Sequence, residues 1–468
     1  MGFTMDGINV DNKALGIRAL NELNLLSDSY RNQIAIITFL IECLNSDVNA
    51  VNAGGGQLRS FVLKCRECGR EYEPTFRYLC DECFGPLEVH YELDGLNLSK
   101  NAFSRRARSL WRYFELLPLM DEKNIFSLGA GFTSLLRAER LGRQLGIRHL
   151  YIKEDITNPT HSFKDRPANV AVAKALEFRL NAVGCASTGN LAAATSAHAA
   201  KANMPCYIFV PEDTEREKVS HALSYGAILV SVLGTYDQAN WIAARFAEES
   251  NAGIVNINLR PYYVEGSKTI AFEICEQLDW SVPDNIVIPM ASGALLTAVG
   301  KGFREMRELG LIDSEPRLFG AQPLGCSPIV RAFKENEERI TPVGRPETVA
   351  KSLAIGEPGD GVYALRAIRR SGGAAAAASD EEILQAIHDL ARFEGLFAEP
   401  GGAVSVAVLT RLIEQGYISR DETTVCLITG SGLKAPYAIL DRVASPIVIK
   451  PTSDGLKRIL EVVKVAAG

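Results

Sequence analysis

NPTHSFKDR, residues 158–166, joins an apolar run to an Ala-rich helical pattern over residues 167–178. Pro159 disfavours helical backbone at the residue before it, whereas Pro167 suits the first turn of a helix. The pattern therefore predicts that Lys164 stands where a loop turns into a helix. A lysine held at such a turn is partly removed from water, which lowers the pKa of its amine and frees it for a Schiff base. The competing interpretation is a solvated lysine beside two charged neighbours.

Three further turns contain glycine, and each follows a predicted strand. They are Ser187-Thr188-Gly189-Asn190 after residues 182–186, Ala291-Ser292-Gly293-Ala294 after residues 285–290, and Thr429-Gly430-Ser431-Gly432 after residues 424–428. One such turn carries little information. A lysine turn followed by three of them in this order is specific, and it favours a reactive Lys164 over a solvated one.

Residues 145–445 alternate strand-like and helix-like segments, which indicates an α/β fold with mostly parallel sheets. The strand-like segments include 149–153, 207–210, 228–232, 254–258, 286–290 and 425–428. Ligands of such sheets bind at the carboxyl ends of the strands. The lysine loop, residues 158–166, and the three glycine turns all fall at or near such ends.

These motifs resemble those of pyridoxal-phosphate enzymes of the tryptophan-synthase-β fold type, and four segments resemble the threonine synthase family within it. The four segments are Trp111-Arg112-Tyr113, Asn158-Pro159-Thr160, YYVEGSKT at residues 262–269, and Gly430-Ser431-Gly432-Leu433-Lys434. The resemblance runs from about residue 65 to about residue 438. It implies fold type II, with two parallel-sheet α/β domains and a cleft between them, the smaller domain spanning roughly residues 165–258.

The resemblance also implies how the cofactor, pyridoxal 5'-phosphate, is held. Lys164 matches the Schiff-base lysine, Asn190 the partner of the ring 3-oxygen, and Thr429 the hydroxyl that faces the ring nitrogen. The phosphate is expected at a segment that leads into a helical pattern over residues 296–307, because backbone N–H groups at a helix N-terminus bind anions. This segment comprises Ala291, Ser292, Gly293, Ala294 and Leu295.

For the substrate, the backbone of Ser187, Thr188 and Gly189 is expected to bind a carboxylate at the start of the helical pattern 191–202. A phosphorylated substrate also needs cations. The candidates are Arg166, Lys218, Arg260 and Lys268. Lys268 is favoured because it lies in the family-like segment 262–269. A further glycine turn, residues 399–402, is expected to line the cleft.

The implied activity is that of a pyridoxal-phosphate-dependent carbon–oxygen lyase, a threonine synthase, which converts O-phospho-L-homoserine and water to L-threonine and phosphate. The alternatives are a sister β-replacement enzyme such as cysteate synthase, which uses O-phosphoserine and sulfite, a serine or threonine dehydratase, and a catalytically inactive regulatory relative. The cysteine module described next and residues 111–113 favour the synthase over the dehydratase. An intact Lys164 argues against the inactive relative, whereas only overall likeness opposes the sister enzyme.

Four of the ten cysteines form a C-x2-C-x11-C-x2-C pattern, namely Cys65, Cys68, Cys80 and Cys83. Two such knuckles can place four thiolates tetrahedrally around one zinc ion, with no open position, so the predicted site is structural. Iron, or four reduced cysteines without a metal, are the alternatives. Acidic residues flank the knuckles, which weakens a role in nucleic-acid binding. Many relatives of the threonine synthases carry a similar ribbon.

The bulk properties bound the partners of this 468-residue chain. Its net charge of -6 argues against a nucleic-acid partner. No apolar run approaches the ~20 residues of a membrane span, and the N-terminus lacks the pattern of a secretory signal. The other six cysteines are scattered in apolar segments, as in proteins of a reducing compartment. We therefore expect a cytoplasmic enzyme with a small-molecule substrate, and the family resemblance adds a homodimer.

The domain prediction has four parts. Residues 1–56 form a helical extension ending in a glycine linker, and residues 57–95 form a zinc-ribbon-like module. Residues 96–445 form the catalytic core, and residues 446–468 form a C-terminal tail.

Overall fold

The computed structural model describes residues 61–467, except 97 and 444. The helical extension predicted for residues 1–56 lies outside this part of the chain. No helix among the described residues combines the length and the hydropathy needed to cross a membrane.

The described residues form thirteen strands. They are β1 Phe61–Cys65, β2 Glu71–Tyr72, β3 Leu87–Tyr91, β4 Leu135–Arg137, β5 His149–Glu154, β6 Ala182–Ala186, β7 Cys206–Pro211, β8 Ile228–Val232, β9 Ala252–Ile254, β10 Asn285–Pro289, β11 Arg317–Pro323, β12 Ala375–Ala378 and β13 Thr423–Ile428.

Fourteen α-helices lie in the same part of the chain. They are α1 Lys100–Ser104, α2 Glu139–Leu145, α3 Asp165–Glu177, α4 Asn190–Lys201, α5 Arg216–Ser224, α6 Tyr236–Ser250, α7 Arg260–Gln277, α8 Ala294–Glu308, α9 Pro328–Lys334, α10 Gly361–Arg370, α11 Asp380–Asp389, α12 Pro400–Ala407, α13 Leu409–Glu414 and α14 Ser453–Ala467. Short 3-10 segments include Leu110–Leu116 and Gly432–Lys434, and Leu390–Glu394 forms a π-helix.

The strands assemble into three sheets. A six-stranded sheet has the order β12-β11-β10-β13-β5-β4, and all its neighbours are parallel except β4 and β5. A four-stranded sheet has the order β8-β7-β6-β9 and is parallel throughout. Near the cysteine knuckles, β2-β1-β3 form a small antiparallel sheet. The predicted α/β fold with two parallel sheets is confirmed.

The central strands of the two parallel sheets are apolar and buried on both faces, whereas the edge strands β4 and β8 are partly exposed. Every residue of β6 and of β10 is buried. A strand buried on both faces reads as a continuous apolar run rather than as an alternation. The runs in the sequence therefore located these strands to within about two residues at each end.

One predicted strand, residues 254–258, was misplaced. The strand is Ala252–Ile254, and the chain then turns. The Asn258 carboxamide closes this turn, since its oxygen accepts a hydrogen bond from the Ile254 N–H at 2.7 Å and its NH2 group donates to the Ala252 carbonyl at 2.9 Å. An asparagine side chain that bonds to nearby backbone in this way competes with strand pairing.

Candidate active site

Three predicted anchor segments follow three neighbouring strands of the six-stranded sheet. The strands β10, β13 and β5 are adjacent and parallel, so their carboxyl ends share one edge. Ala291 lies just beyond the end of β10, Thr429 comes directly after β13, and Lys164 lies in the loop that follows β5. The segments come together because parallel strands end on the same side of a sheet.

Lys164 occupies the N-cap position of α3, at the predicted change from loop to helix. The helix begins at Asp165, two residues earlier than the sequence pattern indicated. The carboxylate of Asp165 is buried and accepts hydrogen bonds from the N–H and the hydroxyl of Thr160, at 2.8 and 2.9 Å, and contacts His198 Nε2 at 3.1 Å. These bonds hold the lysine loop in one conformation.

The amine of Lys164 lies within hydrogen-bonding distance of one hydroxyl, since its Nζ donates to Tyr263 Oη at 3.2 Å. Burial and, to a smaller extent, the positive charge of Arg260 lower the pKa of Lys164 to about 8, and the charge of Glu399 opposes the shift. A lysine with this pKa has a far larger neutral fraction at neutral pH than an ordinary lysine, and the neutral amine is the nucleophilic form.

The loop after β13 is bonded directly to the lysine loop. The Phe163 N–H donates to the Thr429 carbonyl at 2.9 Å, and the Ser431 N–H donates to the His161 carbonyl at 3.0 Å. Lys434 Nζ donates to the Thr160 carbonyl at 2.6 Å. Thr429 itself is buried. Two motifs far apart in the sequence therefore form one backbone unit.

The turn Ser187–Asn190 is connected to this unit through Glu399. The Asn190 side-chain amide donates to both carboxylate oxygens of Glu399, at 3.0 and 3.1 Å. The Glu399 N–H donates to the Gly430 carbonyl at 2.9 Å. A Cβ at Gly430 would lie 2.4 Å from Glu399 Oε1, so a side chain there would displace the Glu399 carboxylate. Burial raises the pKa of Glu399, and the Asn190 hydrogen bond lowers it in part.

Two residues of the same turn, Ser187 and Thr188, are half-buried, and Gly189 caps the N-terminus of α4. The hydroxyl of Ser187 accepts a hydrogen bond from the Gly189 N–H at 3.4 Å. The first N–H groups of a helix have no partner within it. This helix end is therefore suited to a carboxylate.

The loop of residues 291–295 ends at the N-terminus of α8. Gly293 has φ +95°, and a Cβ there would lie 2.8 Å from the Asp360 carbonyl oxygen. The Asp360 N–H donates to the Ser292 carbonyl at 2.9 Å. Glycine thus permits a tight turn that presents the first N–H groups of α8, an arrangement that binds phosphate.

The four candidate cations have different surroundings. Arg260 keeps 32% of its side-chain surface exposed, contacts Asp360, and acts electrostatically on Lys164. Lys218 is exposed and lies 3.1 Å from Glu215. Arg166 has no exposed surface. Its Nε is 2.7 Å from Asp155, and its Nη2 donates to Glu273 at 2.8 Å. Arg166 is therefore a buried structural cation rather than a substrate ligand.

The prediction that Lys268 binds the substrate is wrong. This side chain has no exposed surface, and its Nζ lies 2.6 Å from Glu265 and 2.7 Å from Glu305. A substrate would have to displace these buried ion pairs, and leaving a buried carboxylate unpaired is costly. The ammonium of Lys268 lies 3.9 Å from the ring centre of Tyr91, the last residue of β3. Lys268 therefore faces the small antiparallel sheet.

Three residues of the site received no role from the sequence. Tyr263 lies in the family-like segment 262–269, and Glu399 was named only as part of a glycine turn. The partners of Asp360, Arg66 and Arg260, lie far away in the chain, so the sequence did not link the three residues. Asp360 stands between Gly359 and Gly361, so a search for charged residues in glycine turns would have singled out both Glu399 and Asp360.

The four cysteines of the predicted metal site meet at one end of the small sheet. Their sulfur atoms all lie within 4.8 Å of one another, with Cys65 Sγ 3.5 Å from Cys83 Sγ and Cys68 Sγ 3.6 Å from Cys80 Sγ. Four ligands at about 2.3 Å from a tetrahedral zinc ion would have sulfurs about 3.8 Å apart. The cluster therefore fits a tetrathiolate metal site.

Comparisons with known proteins agree with this geometry. A family model described as "Pyridoxal-phosphate dependent enzyme" matches residues 126–430. The chain is 42% identical over 399 residues to the threonine synthase of Methanosarcina acetivorans, covering 85% of this chain and 98% of that one. It is also 42% identical over 404 residues to the threonine synthase of Methanocaldococcus jannaschii, covering 86% and 99%.

Solved structures show a similar fold at lower identity. Threonine deaminase isoform 2 from Solanum lycopersicum superposes with a TM-score of 0.56 at 22% identity, over 66% of this chain and 83% of that one. Serine racemase from Dictyostelium discoideum gives 0.54 at 23% identity, over 64% and 92%. Likeness at this level of identity supports the fold alone.

Proposed function

The chain belongs to the threonine synthase family of pyridoxal-phosphate-dependent enzymes, and we propose that the Lys164 cleft carries out the reaction of that family. In this reaction O-phospho-L-homoserine and water give L-threonine and phosphate, so the enzyme is a carbon–oxygen lyase. The observation that carries the proposal is the 42% identity to threonine synthases along nearly their whole length. The family model matches residues 126–430, a range that includes the segments that form the cleft.

The residues of the cleft fit pyridoxal phosphate. A partly buried lysine amine suits its aldehyde, the N-terminus of α8 beyond Gly293 suits its phosphate, and the Thr429 hydroxyl suits the ring nitrogen. Within this proposal residues 291–295 hold the phosphate, and Asn190 holds the ring 3-oxygen. When bound, the cofactor withdraws electrons from the amino-bearing carbon of the substrate and thereby makes nearby hydrogens acidic.

The protein's own part in the reaction is placement and proton handling. We assign the substrate carboxylate to the backbone of Ser187, Thr188 and Gly189. Lys164, once displaced by the substrate amine, moves protons at Cα and Cβ of the substrate. Phosphate leaves from Cγ, and water adds at Cβ. Tyr263 lies 3.2 Å from the Lys164 amine and is suited to orient it.

Among the four candidate cations, we assign the substrate phosphate to Arg260. It is half-buried and close enough to Lys164 to lower its pKa. We assign Glu399 the role of positioning the Asn190 side chain. Its carboxylate accepts both hydrogen bonds from Asn190, so it sets the direction of that amide in the cleft.

We expect the coupling of pyridoxal phosphate to the cofactor-free protein to accelerate with pH and to level off above about pH 8. The neutral amine is the reactive form, and burial lowers the pKa of Lys164 to about 8. Roughly a tenth of Lys164 is neutral at pH 7 and roughly nine tenths at pH 9, a rise of about 10-fold. Stopped-flow absorbance measures the rate. A rate that kept rising steeply beyond pH 9.5 would match an unperturbed lysine instead.

We further propose that Cys65, Cys68, Cys80 and Cys83 hold a structural zinc ion, that the enzyme is a homodimer, and that it works in the cytoplasm. Sulfur spacing supports the zinc ion, family resemblance supports the dimer, and the buried thiols outside the cluster support a reducing compartment.

The domain division proposed from the sequence also has support. The three-stranded sheet lies within residues 57–95, the four-stranded parallel sheet lies within residues 165–258, and the tail 446–468 contains α14.

The reaction is tested by incubating the purified full chain, loaded with pyridoxal phosphate, with O-phospho-L-homoserine. Threonine is measured by chromatography and phosphate by a colorimetric assay, and we expect equal amounts of the two. O-phosphoserine with sulfite is run in parallel. Release of phosphate from that pair alone would contradict the proposed reaction and point to the sister β-replacement activity.

A further inference from the structure

A cavity of about 240 Å³ adjoins the proposed active site, where the small antiparallel sheet meets α7, α8 and α10, and it shares Arg260 and Asp360 with that site. Cationic side chains dominate its lining. They are Arg66, Arg260, Lys301, Arg304, Arg366 and Arg370, and they face three carboxylates.

Each of the three carboxylates of the lining already has a cationic partner. Asp360 contacts Arg66 at 3.0 Å and also contacts Arg260. Lys301 lies 2.6 Å from Glu265. Glu88 lies 3.6 Å from the Arg66 guanidinium. Three of the six cations of the lining, Arg66, Arg260 and Lys301, are therefore paired.

The remaining arginines lie on α8 and α10. Arg366 lies 3.6 Å from Glu67, outside the lining. In the part of the chain that the structure describes, the guanidinium groups of Arg304 and Arg370 form neither an ion pair nor a hydrogen bond. Arg304 is half-buried, and both its burial and the charge of Arg370 lower its pKa. Two like charges thus face one cavity, and the negative charges of Glu315, Glu88 and Glu305 offset that of Arg304 only in part.

A small anion would remove this conflict. An unpaired, partly desolvated charge costs free energy, and a ligand of opposite charge recovers it. The planar donor fork of arginine matches the oxygens of phosphate, so two such groups around a small cavity favour a tetrahedral oxyanion. We propose that this cavity binds inorganic phosphate, or the phosphate group of a small metabolite, at Arg304 and Arg370.

This site is separate from the proposed cofactor cradle. Arg304 stands ten residues after Ala294 on α8, which is about 15 Å along the helix axis. The two places are nevertheless connected, because Asp360 lines the cavity, where it pairs with Arg66 and Arg260, and its N–H donates to the Ser292 carbonyl. An anion that draws either arginine away from Asp360 would alter the loop 291–295, so the site is placed to regulate the enzyme. Binding at this site does not depend on the reaction proposed above.

The test is calorimetric titration of the full chain, loaded with pyridoxal phosphate, with inorganic phosphate. The wild type should bind two phosphates per chain, one in the cleft and one in the cavity. The double variant Arg304→Gln/Arg370→Gln should lose the phosphate in the cavity, or bind it at least about 10-fold more weakly. Its kcat and KM in phosphate-free buffer should equal those of the wild type. Arg369→Gln is the matched control, because this neighbour on α10 donates to backbone carbonyls of Ala332 and Glu337 and does not line the cavity.

Two results would overturn the proposal. One is a wild type that binds no phosphate, and the other is a double variant that binds as many phosphates as the wild type with unchanged affinity. The exposed single change Arg370→Gln repeats the test with little risk to folding. Without phosphate, the double variant and the single variant Arg370→Gln should melt at or above the temperature of the wild type. Both remove the repulsion between the charges of Arg304 and Arg370. Glycerol phosphate then distinguishes a site for phosphomonoesters from one limited to the free ion.

Discussion

Replacing Lys164 with alanine is expected to lower the turnover of O-phospho-L-homoserine by at least about 10³-fold and to abolish the visible absorption of lysine-bound pyridoxal phosphate. In the proposed function this amine both holds the cofactor and moves the protons, so its loss removes two roles at once. Its Nζ lies 3.2 Å from Tyr263 Oη, and burial lowers its pKa to about 8. Absorbance spectra and initial rates of threonine formation measure the two effects.

Two control variants separate this role from a general effect of charge. Lys164→Arg keeps the positive charge but cannot form a covalent bond to the cofactor aldehyde, so it should lose activity as severely as the alanine variant. Lys123→Ala removes a lysine whose side chain is 78% exposed and should behave as the wild type. Normal turnover by Lys164→Ala would refute the assignment of this lysine.

The sequence located the main anchors of the site because each depends on local pattern. Lys164, Thr429 and the loop 291–295 all follow apolar runs, and apolar runs become the buried strands of parallel sheets. The carboxyl ends of parallel strands meet at one edge, so order along the chain was enough to bring these segments together. No side-chain contact had to be known in advance.

The errors concern charged residues whose partners are far away in the sequence. Lys268 lies in a family-like segment, but Glu305 on another helix pairs with it in the interior. Arg166 follows the reactive lysine directly, yet Asp155 and Glu273 bury it completely. Whether a charge faces substrate or core depends on these partners, and the pattern of one segment does not contain them.

The same limit explains why Asp360 and Glu399 were missed as functional residues. Asp360 joins Arg66, next to a cysteine knuckle, with Arg260, next to the active site. Glu399 joins the turn that carries Asn190 with the loop after β13. Each is a bridge between distant segments, so its role exists only in the folded chain.

Replacing Cys65 with serine is expected to release the metal and to lower the free energy of unfolding by about 3 kcal/mol or more, while the folded enzyme keeps most of its turnover. The four sulfur atoms hold together a sheet whose core residues Leu63 and Val89 pack against the smaller parallel-sheet domain. Loss of the metal frees the knuckles and exposes this apolar surface. Differential scanning calorimetry measures the stability, and inductively coupled plasma mass spectrometry measures the zinc content. We expect the zinc content to fall from one ion per chain to none.

Cys326→Ser is the matched control for this prediction, because it changes a buried cysteine outside the cluster. It should keep the zinc ion and lose about 1 kcal/mol through the buried hydroxyl alone. Removal of zinc from the wild type by a chelator should reproduce the Cys65→Ser melting curve. A folded Cys65→Ser enzyme that kept its metal and its melting temperature but lost activity would contradict a structural role. It would place this cysteine in the chemistry instead, through Arg66 beside it, which pairs with Asp360, whose N–H donates to the Ser292 carbonyl of the loop 291–295.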